Sequence, residues 1–183
     1  TTSSAASDVY KRQASGKSLI IYCIIRMLRE SDGRVLLIVP TTSLVEQMYK
    51  DFISYGYDAE ANVQRKYYGY EIDTDKKIVV STWQSLATFD KDYFKQFDCV
   101  IGDEAHLYKS KELQKIMAAC INAKYRIGTT GTLDDSKVHK LVLEGLFGPV
   151  HYVTTTRELI DKNQLANLKL SLIHISEPTR RNS

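Results

Sequence analysis

Two short strings in this chain carry residue types suited to holding and cleaving a phosphate ester. The first, Ala14-Ser15-Gly16-Lys17-Ser18, opens an apolar stretch. A glycine there lets backbone N–H groups close around phosphate oxygens at a helix start. Lysine then reaches the outer phosphates, and the serine hydroxyl offers Mg²⁺ a hard oxygen. Only the end of the pattern G-x-x-x-x-G-K-[ST] is met, because its upstream glycine would fall at Lys11. The second string, Asp103-Glu104-Ala105-His106, follows a short apolar run directly. Hydrolysis of a nucleoside triphosphate needs one carboxylate to hold Mg²⁺ and another to orient the attacking water. Adjacent acids at a strand end point in different directions and divide those tasks. Each string has a plain alternative, a chance helix start for the first and a solvated helix cap for the second. The two in this order, about 85 residues apart, favour the phosphate chemistry over both.

The elements that must position these strings alternate along the chain. Lys17 to Glu30 is apolar nearly all round (Leu19, Ile20, Ile21, Ile24, Ile25, Leu28), which predicts a buried helix. Asp32-Gly33 marks a turn, and Arg34 to Val39 is a short β-branched strand stopped by Pro40. Thr42 to Tyr55 is amphipathic, with Leu44, Val45, Met48, Phe52 and Ile53 opposite Glu46, Lys50 and Asp51. Strands are predicted at Ile78–Thr82, Asp98–Gly102 and Tyr125–Thr129, and helices at Lys111–Ala119 and Lys137–Leu146. Strands separated by helices predict an α/β fold, a parallel sheet with helices on both faces. Ligands of such sheets bind at the carboxyl ends of strands, where both strings fall.

Composition narrows the class without choosing within it. Hydrophobic residues at 43% and charged residues at 26% describe a globular domain rather than a disordered one. No apolar run approaches the length of a membrane span. The three cysteines, Cys23, Cys99 and Cys120, have no metal-ligand spacing and suit a reducing compartment, so a cytoplasmic location is expected. Residues 1–13 and 170–183 resemble the translation of a sequencing-library adapter and are expected to be foreign to the fold. Removing Asp8, Lys11 and Arg12 at one end and Glu177, Arg180 and Arg181 at the other takes the net charge from +3 to +1 for residues 14–169. Overall basicity is therefore no argument for nucleic-acid binding.

With its other motifs, the chain resembles the first RecA-like lobe of DEAH-type superfamily-2 helicases. Val39-Pro40-Thr41-Thr42-Ser43-Leu44-Val45-Glu46-Gln47 is similar to that family's motif Ia, and Val80-Ser81-Thr82-Trp83-Gln84-Ser85-Leu86 to a further strand-contacting segment. Gly128-Thr129-Thr130-Gly131-Thr132-Leu133 resembles its motif III. The resemblance runs from Ala14 to Lys169 and implies a RecA-like P-loop NTPase lobe that uses ATP and Mg²⁺. It implies that Ala14, Ser15, Gly16, Lys17 and Ser18 hold phosphate, with Ser18 and Asp103 on the metal and Glu104 as base. Pro40, Thr41, Thr42 and Thr82 would contact a nucleic-acid strand, more readily DNA than RNA. His106, Thr130 and Thr132 would couple the ATP site to a second, C-terminal RecA-like lobe, which supplies arginine fingers in the family and is expected to be missing here. The start of the phosphate loop is expected to be missing too, leaving the fragment inactive alone. Two other readings stay open: a restriction or remodelling motor that translocates along duplex, and a non-motor P-loop ATPase. Tyr67-Tyr68-Gly69-Tyr70 beside Arg65 and Lys66 suits base stacking, although a mixed surface strand accounts for it more simply.

Overall fold

Runs of Val, Ile and Leu too short and too β-branched to be helices build the centre of the molecule. The structure is a computed structural model and describes residues 16–29, 32–68, 75–131 and 137–151. Helix α1 (Gly16–Arg29) leads into β1 (Val35–Val39), α2 (Thr42–Ser54), the single turn α3 (Ala59–Asn62) and β2 (Val63–Lys66). Then come β3 (Ile78–Thr82), the short helices α4 (Trp83–Leu86) and α5 (Lys91–Phe94), and β4 (Cys99–Asp103). A 3₁₀ turn (Ala105–Leu107), α6 (Lys111–Ala119), β5 (Tyr125–Thr129) and α7 (Lys137–Phe147) complete the order. The chain divides into two compact units, residues 1–149 and 150–183, the second described only at Val150 and His151.

The five strands form one sheet in the order β2-β3-β1-β4-β5, every pairing parallel. β1 lies at its centre and is buried throughout, as a strand covered on both faces must be. Its side chains alternate between two cores. Val35, Leu37 and Val39 pack with Ile21 and Ile25 of α1 and Val45, Met48 and Phe52 of α2. Leu36 and Ile38 pack on the other face with Leu86, Phe94, Leu113, Met117 and Leu143 from the later helices. This is the predicted α/β architecture.

One expectation needs correction. Helix α1 is not buried all round: Ser18, Ile21, Tyr22 and Ile25 face the core, while Leu19, Ile20 and Met27 are exposed. A helix in an outer layer has one face on the sheet, so apolar residues beyond that stripe stay uncovered. The strand leading into the Tyr67 to Tyr70 string, β2, has more cover than its composition suggests. β2 is largely buried, with Lys66 only 3% exposed. Its cations are accommodated by partners: the Arg65 guanidinium lies over the Tyr49 ring at 4.1 Å and donates to Glu46 at 2.7 Å. The Lys66 ammonium sits 4.3 Å from the centre of the Phe89 ring. Tyr67 donates to Glu46 at 2.9 Å, Tyr68 is exposed, and Gly69 and Tyr70 lie outside the described residues.

Candidate ATP and nucleic-acid site

Because all strands are parallel, their carboxyl ends share one edge of the sheet, and side chains distant in sequence meet there. Asp103 ends β4 with its carboxylate buried, pointing to the face that carries α1. Its Oδ1 accepts the Thr129 hydroxyl at 2.9 Å, as the register Asp103↔Thr129 allows, and lies 3.5 Å from the Lys17 ammonium. Lys17 also donates to Glu104 Oε1. A cation from the first helix is thus held by both acids of the second string.

Glu104 carries an unusual backbone. Its φ of 50° and ψ of 54° put it in the left-handed region, which costs a residue with a Cβ about 1–2 kcal/mol. The reversal turns the chain sharply out of β4, so Asp103 and Glu104 present their carboxylates from different directions. Glu104 Oε2 stands 3.3 Å from His106 Nδ1, and that nitrogen shares a hydrogen bond of 2.9 Å with the Thr130 hydroxyl. Lys17, Asp103, Glu104, His106, Thr129 and Thr130 form one connected polar group.

Ser18, beside Lys17, is buried with its hydroxyl 2.8 Å from that of Tyr55. Among the described residues no group of three or more His, Cys, Asp or Glu comes together for a metal. One buried carboxylate and one hydroxyl still fit Mg²⁺, which keeps several waters and takes its remaining oxygens from phosphates. Burial pushes the Cys99 thiol up to about 12 and the Cys120 thiol up to about 11. Both stay protonated and offer no nucleophile to the site.

The expected strand-contacting residues cluster at neighbouring strand ends. The pairing Val39↔Thr82 sets Pro40 and Thr41 beside Thr82. Thr41 and Thr42 are exposed and Pro40 is half-buried. Thr41 caps α2 by accepting the Leu44 N–H at 3.3 Å. Thr82 is buried and caps α4, accepting the Ser85 N–H at 3.5 Å and donating to the Ser85 hydroxyl at 3.1 Å. Ala14, Ser15 and Thr132 lie outside the described residues. Sequence reasoning passed over Thr129, although it sits next to Thr130 and directly across from Asp103. It also passed over Tyr55, whose contact with Ser18 has no local signature.

A parallel sheet with a lysine from a helix start on an Asp-Glu pair at its strand ends defines a RecA-like lobe of helicase type. The chain belongs to the family described as Type III restriction enzyme, res subunit, which matches residues 13–135. It is 33% identical over 170 residues to the ATP-dependent DNA helicase uvsW of Enterobacteria phage T4, covering 90% of this chain and 34% of that protein. The crystal structure of the UvsW helicase from Bacteriophage T4 superposes with a TM-score of 0.67 at 32% identity, covering 75% of this chain and 51% of that one. The Hef helicase domain of Pyrococcus furiosus shares the fold at a TM-score of 0.58 and 22% identity, over 74% of this chain and 32% of that one. The chain spans about a third of the length of the curated relative.

Proposed function

We propose that this chain is the first, ATP-binding lobe of a DNA helicase that works in the cytoplasm with a second RecA-like lobe of the same polypeptide. One observation carries the reading: Lys17, at the start of α1, meets Asp103 and Glu104 at the end of β4. In this reading Gly16, Lys17 and Ser18, with Ala14 and Ser15, hold the ATP phosphates, and Lys17 leaves the carboxylates for phosphate oxygens. Mg²⁺, held by Asp103 and Ser18, would neutralise charge developing on the phosphates. Glu104, released from Lys17, orients the attacking water and takes its proton. His106 and Thr130, already in contact, pass the state of the site to the second lobe together with Thr132. Pro40, Thr41, Thr42 and Thr82 grip the strand.

A second reading, translocation along duplex without strand separation, is favoured by the restriction-enzyme family to which the chain belongs. Phosphate release and strand separation, measured together, test both. The full-length protein should hydrolyse ATP faster with single-stranded DNA and should separate a forked duplex. Stimulation without separation would favour the duplex motor, and no stimulation by any nucleic acid would refute both. The chain by itself should be nearly inactive, because an arginine finger from a second lobe is worth roughly 10³–10⁵ in rate. Brisk turnover by the chain alone would refute the two-lobe mechanism.

A further inference from the structure

The face of the sheet opposite Asp103 is shaped around two glycines. Gly102 precedes Asp103 in β4, and Gly128 is its register partner in β5, so both present the same face. A Cβ built on Gly102 would stand 2.6 Å from both the Cζ and the hydroxyl of Tyr108, closer than real Cβ contacts come. A Cβ on Gly128 would stand 3.0 Å from the Ala105 Cβ and 3.0 Å from Cγ of Phe147. Ala105 and Tyr108 belong to the turn that begins at Glu104, and Phe147 ends α7. The Tyr108 ring is 1% exposed and meets Phe147 edge-on, with centroids 5.0 Å apart and planes at 74°. Its hydroxyl has no hydrogen-bond partner among the described residues. The ring is therefore held by shape and not by a polar contact.

These contacts bear on the reactive acids. Glu104 occupies a left-handed conformation that its own side chain disfavours, so something must hold the turn down. Ala105 seated on Gly128 and Tyr108 seated on Gly102 fix the turn at two points just after Glu104. Strand pairing and the Thr129 hydroxyl fix Asp103 just before it.

We propose that Tyr108 is a positioning residue: wedged over Gly102, it holds the left-handed turn that aims the Glu104 carboxylate at the attacking water. The proposal rests on the assignment of Glu104 as base in an ATP-driven motor. Neither Gly102 nor Tyr108 touches nucleotide in this account. They act through the direction of Glu104 and should govern turnover rather than ATP binding.

The test uses the full-length protein, with phosphate release measured against ATP concentration in saturating single-stranded DNA. Gly102→Ala should lower kcat roughly 10- to 100-fold, because a displacement of about 1 Å in a reacting group has effects of that size. KM for ATP should stay within about twofold. Gly102→Ala combined with Tyr108→Leu exchanges volume between the partners and should recover most of kcat. Tyr108→Phe keeps the wedge and should retain full activity. If Gly102→Ala does not fold, Tyr108→Leu alone serves: it should lower kcat roughly tenfold at unchanged KM. A merely structural role would lower Tm and leave kcat per folded molecule unchanged. Wild-type kcat in folded Gly102→Ala or Tyr108→Leu overturns the proposal, and so does failure of the double variant to recover. A wild-type protein with no nucleic-acid-stimulated hydrolysis would instead remove the motor reading, and the positioning role with it.

Discussion

Replacing Lys17 by alanine should destabilise the lobe even with no nucleotide present, and the structure sets the size. The ammonium lies 3.5 Å from the buried Asp103 carboxylate and in contact with Glu104. At an effective dielectric of about 20, a unit-charge pair at that distance has a gross attraction of about 5 kcal/mol. Desolvation of three charges opposes it, and Lys17 and Glu104 each keep 29% of their side-chain surface in water. A net stabilisation of about 1–2 kcal/mol by Lys17 acting on the two acids together remains. For a chain of this size that corresponds to a fall in Tm of roughly 2–8 °C. Thermal unfolding of wild type, Lys17→Ala, Glu104→Gln and the double variant completes a cycle. If the contact exists, the double variant should be less destabilised than the two single losses added together. Strict additivity would refute it, together with the claim that the lysine bridges both acids before nucleotide arrives.

Three further outcomes follow from other parts of the site. In the full-length protein Glu104→Gln should leave ATP binding within about threefold while nearly abolishing phosphate release, because an amide cannot accept the proton; unchanged turnover would remove Glu104 as base. Thr41→Ala should destabilise the chain by about 1 kcal/mol in urea unfolding through loss of the α2 cap, besides any effect on DNA affinity. An unchanged midpoint would leave strand contact as its sole task. Cys99 is pushed up to about 12 from an ordinary value near 9 by burial first and by the neighbouring Asp98 charge second. The folded state therefore holds this proton more tightly than the unfolded chain does. Its stabilising effect is complete below pH 9 and declines by about 1.4 kcal/mol per pH unit as pH rises toward 12. Urea unfolding of Cys99→Ala over that range should show a shallower alkaline decline than wild type.

β1, β3 and β4 were legible because each is a short run rich in Val, Ile or Leu, and β5 was legible although Arg126 and Gly128 interrupt it. β2 was not. Val63-Gln64-Arg65-Lys66 has no apolar run to mark it, and its burial depends on Tyr49, Glu46 and Phe89, none of them adjacent in sequence. Helix α1 misled in the opposite sense: its apolar residues exceed the stripe that the sheet covers, and periodicity alone does not reveal which side is left outside. Within the site, Lys17, Asp103 and Glu104 could be named from motif spacing because phosphate chemistry limits which residue types serve. Their mutual contact, the left-handed turn and the fit of Tyr108 onto Gly102 could not, since each depends on the register of β4 and on a side chain folding back across the sheet.

The separation of Lys17 from Glu104, 87 positions along the chain, also bears on how the lobe assembles. Every neighbouring pair of strands is parallel, so each is closed by a crossover rather than a hairpin, and ordering entropy is lost before pairing returns it. β1 must join β4, and α1 must dock beneath them, before the lysine has carboxylates to meet. A half-assembled lobe therefore holds no phosphate site. ATP at a hundred times its dissociation constant would add about 2.7 kcal/mol to the finished lobe and nothing to its precursors. A bound nucleotide would then favour the assembled lobe over every partly assembled form.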